Sequence, residues 1–303
     1  MRLKFGRPDL GRYAARFDVP PATDGLAVTF LGVASLLLDD GETAVMTDGF
    51  FSRPSLAKVA LGKVAPDHAR IDVVLARAGV GRLAAVLPVH THFDHAMDSA
   101  VVADLTGAVL VGGESTAYVG RGHGLPEDRI RVATPGEPMT YGGFTVTLIE
   151  SHHCPPDRFP GVITEPVVPP VRAAAYKCGE AWSILVEHTS GATALLQGSA
   201  GYVAGSLAGR RADVAYLGIG QLGVQSEDYI RSYWAETVET VGARRVVVTH
   251  WDDFFRPLDR ELRALPYLGD DLDVTMRMLD ELAAAAGVSL HFPTVWQREN
   301  PWL

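Results

Sequence analysis

The 303-residue sequence predicts an α+β fold in which short strands and amphipathic helices alternate through two successive halves. Three observations lead there. Apolar runs of strand length recur between stretches of helical period. The chemically richest polar residues stand where those runs end. The chain is 47% hydrophobic, enough for a large core. No apolar run reaches the roughly 18 residues that a membrane span requires. The simplest organisation is a single domain over residues 1–303. Within it, residues 1–25 form a polar N-terminal surface segment closed by Pro20 and Pro21, and residues 154–181 form a proline-rich loop beside the site.

The elements follow in order. Leu26–Leu31, Ala34–Leu38 and Thr43–Thr47 are apolar runs broken by Gly32 and by Asp39-Asp40-Gly41, the pattern of antiparallel strands joined by turns. A helix is expected near Ile71–Ala78, and Leu83–Val89 reads as a buried strand. A helix over Ala96–Leu105, a strand over Ala108–Val111 and a helix over Ser115–Arg121 come next. Strands are expected at Phe144–Ile149, Trp182–Glu187, Ala192–Gln197, Asp213–Leu217 and Arg244–Val248. Helices Glu227–Val241 and Asp273–Ala286 and a strand Ser289–Phe292 complete the second half. Residues 154–180 carry Pro155, Pro156, Pro160, Pro166, Pro169 and Pro170, so regular structure is not expected there. A loop this long is a lid or pocket wall, or else an oligomer contact.

One stretch dominates the chemistry. His90-Thr91-His92-Phe93-Asp94-His95 places three histidines and a carboxylate within six residues, directly after a buried strand. Imidazole nitrogen and carboxylate oxygen are the donors that zinc and similar ions take in catalytic sites. Chance produces such a pattern in on the order of one chain in 1,000. A metal site is the better explanation. Further histidines stand at strand ends: His152 and His153 after Phe144–Ile149, and His250 after Arg244–Val248. His152 and His153 are neighbours on an extended chain and point to opposite sides, so only one joins the cluster.

The H-x-H-x-D-H spacing resembles the signature of the metallo-β-lactamase superfamily, over roughly Leu26–Phe292. The resemblance implies a four-layer αββα sandwich of two mixed β-sheets flanked by helices, with the site along one edge. It implies metal ligation by His90, His92 and His153 at one position, and by Asp94, His95 and His250 at a second. It selects His153 over His152, which is left to line the pocket. It gives Asp48, at the end of the third strand, the task of bracing the histidine loop. The sequence departs from the family at Gln197-Gly198-Ser199, where the usual Gly-Asp supplies a carboxylate shared by two ions. With Ser199 there, the second ion is weak or absent, or Asp252 or Asp253 compensates. Other substrate-side candidates are Arg158, Phe159, Tyr176, Lys177 and Trp251.

The expected chemistry is metal-assisted hydrolysis of an ester, lactone, amide or phosphodiester of a small substrate. Asp94, Asp48 and His250 would support catalysis, and one or two Zn2+ ions, or Mn2+ or Fe2+, would serve as cofactor. The alternatives are a mononuclear iron oxygenase of the same fold and a non-catalytic metal-binding protein. Net charge is −9, which argues against a nucleic-acid partner. No membrane partner is expected, and a homo-oligomer remains open. Two cysteines, Cys154 and Cys178, are too few for a disulfide framework and suggest the cytoplasm. Cys154 is a weak nucleophile candidate without a free base. His68, His123, His188 and His291 read as cap, loop, turn and strand residues.

Overall fold

The computed structural model describes residues 4–303. The first half lays down Ala27–Phe30 (β1), Leu36–Asp39 (β2), Ala44–Thr47 (β3), Ala85–Leu87 (β4), Val109–Gly112 (β5) and Ile130–Val132 (β6). The second adds Pro138–Tyr141 (β7), Phe144–Ser151 (β8), Ala181–His188 (β9), Thr193–Gln197 (β10), Val214–Gly218 (β11), Arg245–Thr249 (β12) and Ser289–His291 (β13). The short strand Arg298–Glu299 (β14) then returns to pair antiparallel with β1. Two seven-stranded sheets result, ordered β14-β1-β2-β3-β4-β5-β6 and β13-β12-β11-β10-β9-β8-β7. Each is antiparallel in one part and parallel in the other, with the change at β3 in the first and β10 in the second.

The period-two alternation of the strands sets the layers. Leu36 and Leu38 face the second sheet, where they join Val146, Leu148, Ile184, Val186, Leu195 and Leu217 in one core. Leu37, between them, faces outward with Met46, Val86 and Leu110. That outer face is covered by His68–Arg77 (α2, after the short α1, Leu56–Leu61) and, beyond the turn Phe93–Ala96 (α3), by Ser99–Thr106 (α4). These supply Ile71, Val74, Leu75, Val101 and Val102. After Glu114–Gly122 (α5), helices Glu227–Trp234 (α6) and Leu272–Ala286 (α7) bring Tyr233, Trp234, Met276 and Leu279 against the second sheet. The architecture is the expected αββα sandwich.

Two local expectations are corrected, and one short strand is new. The N-terminal segment is not only a surface cover: Val19 is buried, and Phe17 stacks on Phe292 at 5.0 Å and meets the edge of Trp251 at 6.1 Å. Its apolar residues are spaced too widely among charges to show a period. The helix expected over Glu227–Val241 narrows to α6, and the chain continues through one wider π-turn, Ala235–Glu239. The two-residue strand β14 is too short to read from sequence. No helix among the described residues is long and apolar enough to cross a membrane.

Glu299 on β14 has a pH signature. Its carboxyl is buried, accepts a hydrogen bond from Thr294 N at 2.8 Å, and is pushed up to about 8 by burial. A raised carboxyl pKa means stability is fully present below the unfolded value and is lost as pH rises through about 8. Glu299→Gln is therefore expected to match the wild type in melting temperature near pH 4.5 and to exceed it by about pH 9. Parallel melting curves over that range would show that β14 does not hold a neutral acid.

Candidate metal centre

The chain leaves the C-terminal ends of β4, β8 and β12 at one edge of the sandwich, and the histidines stand at those exits. Two triads of donor atoms form. His90, His92 and His153 make the first; Asp94, His95 and His250 make the second. Within each triad the atoms lie within 4.8 Å of one another. His90 Nε2 is 3.1 Å from His92 Nδ1, and His95 Nε2 is 3.2 Å from His250 Nε2. Tetrahedral ligands at the usual zinc–nitrogen distance stand about 3.4 Å apart, so this spacing fits nitrogens sharing an ion. The triads adjoin, with the His90 and His95 rings 3.9 Å apart.

The far sides of these rings are held by the scaffold. His95 Nδ1 donates to Asp48 Oδ2 at 2.7 Å, while Asp48 Oδ1 accepts from Val89 N at 2.9 Å. Asp48 thus ties the end of β3 to the strand that launches the motif. His153 Nδ1 donates to the Cys154 carbonyl at 2.6 Å, which leaves Nε2 for the triad. His90 Nδ1 and His250 Nδ1 are buried without a hydrogen-bond partner. Asp48 and His250 sit at positive φ, 54° and 58°. Left-handed backbone is costly for residues with a Cβ and clusters at functional sites.

Protonation suits ligation. Burial, reinforced by neighbouring imidazoles, holds His90 well below the ordinary histidine range and brings His153 down to about 4. Burial also lowers His92, although Asp94 and Asp157 work against it. These rings are neutral at pH 7 with lone pairs to offer. His95 behaves oppositely. Burial opposes its proton, but the Asp48 and Asp94 carboxylates outweigh it and raise the pKa. Asp94 is lowered despite burial, because His95 and His250 favour its charged form.

Two contiguous clefts of about 390 and 340 Å³ lead to this edge, sharing Ser151, His152, Gly179 and Ala181. The inner one reaches His153, Asp157 and Cys178. His152 is exposed on the cleft wall and His153 is in the triad. The loop residues Arg158 and Lys177 are exposed, and the Phe159 ring lies 6.0 Å from His92.

Other placements correct the sequence reading. Tyr176 is fully buried in the core between the first sheet and its helices. Trp251 is packed against Phe30 and Phe292. Asp252 is fully buried, bonded to Arg53 at 2.6 Å and accepting from Val33 N at 2.8 Å. Asp253 pairs with Arg7 and Arg263. Neither carboxylate replaces the one missing at 199. Ser199 Oγ instead accepts from Cys154 N at 2.9 Å, so it anchors the backbone that carries His153. Cys154 is buried and its thiol is pushed up to about 12, which excludes a resting thiolate nucleophile. His188 does more than turn the chain: its Nε2 meets Asp40 at 3.1 Å and links the two sheets. Asp157 was missed. It sits 3.1 Å from His92 Nε2, in a loop without period or motif to mark it.

Two facing mixed sheets under helices, with His and Asp donors gathered at strand ends along one edge, define the metallo-β-lactamase fold, and this chain has it. A possible metal-dependent hydrolase from Veillonella parvula superposes with a TM-score of 0.57 at 13% identity, over 91% of this chain and 99% of that one. The metallo-β-lactamase fold protein YhfI from Bacillus subtilis superposes with a TM-score of 0.51 at 15% identity, over 92% and 98%. In sequence, 86 residues are 33% identical to a UPF0173 metal-dependent hydrolase from Heliobacterium modesticaldum. That match spans 28% of this chain and 29% of the relative. No protein-family model matches the chain.

Proposed function

We propose that the chain is a metal-dependent hydrolase acting on an ester, lactone, amide or phosphodiester bond of a small substrate. The observation that carries this reading is the pair of adjoining donor triads, with His95 and His153 held from behind by Asp48 and the Cys154 carbonyl. The donor set fits zinc, and also manganese or ferrous iron. His90, His92 and His153 would hold one ion, and Asp94, His95 and His250 a second. When bound there, a divalent ion would supply a water acidic enough to ionise near neutrality and a Lewis acid for the scissile group. Asp94, ionised and reaching toward His250 Nε2 at 3.5 Å, would be the acceptor that orients the attacking water. The clefts match the size range of small-molecule sites, and His152 lines both. Two free buried cysteines suit a reducing compartment such as the cytoplasm.

The test is metal analysis of the purified protein, joined to a panel of lactone, thioester and phosphodiester substrates with added zinc, manganese or iron. About two zinc ions per chain and metal-stimulated cleavage of at least one bond class are expected. One iron with substrate-dependent oxygen uptake would replace the reading with an oxygenase. No bound metal and no stimulated turnover would overturn it.

A further inference from the structure

We propose that Asp157 is a positioning residue for His92, so that the proline-rich loop assembles the first triad as well as walling the cleft; this rests on the metal reading above. A neutral imidazole has one N–H donor and one lone-pair acceptor, and the group facing one nitrogen decides what the other can do. His92 Nδ1 faces the triad, 3.1 Å from His90 Nε2. Its Nε2 faces two acceptors: Asp157 Oδ1 at 3.1 Å and the Phe159 carbonyl at 3.4 Å. The proton therefore belongs on Nε2, and the Nδ1 lone pair is turned toward the ion. A carboxylate behind an imidazole fixes the ring and raises its basicity as a ligand.

Asp157 is itself fixed. Its Oδ1 also accepts from Phe159 N at 2.9 Å. The two arms of the loop are clamped where Cys178 N donates to the Phe159 carbonyl at 2.8 Å and Gly179 N to the Gly161 carbonyl at 2.9 Å. The clamp reaches the motif through Thr91, which lies between the two histidines. Thr91 N donates to the Cys178 carbonyl at 2.7 Å, and Thr91 Oγ1 to the Lys177 carbonyl at 2.6 Å. The loop thus docks on the residue between the ligands and presents a carboxylate to the second of them.

His92, Asp157 and Cys178 also lie close enough to hold an ion of their own. The positioning role is favoured because the His92 ring would have to lose its remaining proton to serve both sides.

The experiment uses the full chain with Asp157→Ala and Asp157→Asn. Nitrogen-15 imidazole spectra of the metal-free proteins read the His92 tautomer directly. The wild type is expected to hold the Nε2–H form, the Ala variant to mix tautomers, and the Asn variant, whose amide oxygen still accepts, to stay near the wild type. Zinc competition with a chelator is expected to show the first triad weakened about 10- to 100-fold in Asp157→Ala, less in Asp157→Asn, with the second triad unchanged. Unchanged tautomer and unchanged affinity in Asp157→Ala, in a wild type that binds zinc, would overturn the proposal. So would a further ion lost on both Asp157→Ala and Cys178→Ala. A wild type that takes up no zinc defeats the metal reading instead, and the tautomer spectra still decide whether Asp157 orients His92.

Discussion

His92→Ala is expected to empty the first triad and to lower turnover at least about 10²- to 10³-fold, because the ion that would stabilise developing charge is no longer held. The loss should fall mainly on kcat, since His92 lies behind the cleft wall and not along it. Zinc content should drop with it, because two imidazoles remain where three met. Stability should move the other way. Five desolvated imidazoles crowd this edge, and two carry buried nitrogens without partners. Functional sites often break the rules of a well-satisfied core, and relieving them stabilises the fold. The metal-free variant should melt at or above the metal-free wild type. Full zinc content with full turnover in His92→Ala would remove the assignment.

The fold was legible because its layers write themselves as period. Leu36-Leu37-Leu38 and the continuous Val246-Val247-Val248 mark strands buried on both faces, and α7 shows a clear helical stripe. The triads were legible because strand ends in such folds converge at one edge, so histidines far apart in sequence meet there. What was illegible depends on direction and pairing. Trp251 directly follows a ligand and Tyr176 lies in the loop that follows another, yet an aromatic beside a site and an aromatic under it are identical in sequence. Asp252 lies two residues past His250, but its partner Arg53 is 199 positions away. Asp157 stands between prolines and an arginine with no spacing to single it out. Ser199 was read by what it lacks, whereas its work is to hold Cys154 N.

The pair Arg53–Asp252 makes the largest stability prediction. Both side chains are fully buried, and Arg53 Nη2 lies 2.6 Å from Asp252 Oδ2. Arg53 Nη1 adds a bond to the Arg256 carbonyl at 3.1 Å. Gly32 leaves room for the guanidinium: a Cβ there would lie 1.9 Å from Nη2. The other carboxylate oxygen accepts from Val33 N, and the Val33 carbonyl accepts from His250 N at 2.7 Å. The ion pair is thus linked through Val33, by two hydrogen bonds, to a triad histidine held at positive φ. Asp252→Ala leaves a guanidinium buried without its counter-charge, which costs about 3–5 kcal/mol. Replacing both partners by apolar residues of similar size, Arg53→Met with Asp252→Leu, should recover much of that loss, because the desolvated charge disappears as well. The two outcomes separate pairing from packing. Denaturant unfolding of the single and double variants reads the coupling, and His250 should remain less well placed in the double variant, with weaker zinc uptake at the second triad. Additive losses in the double variant would show that the two buried side chains act independently, leaving the Val33 N–Asp252 bond as the carboxylate's contribution to this edge.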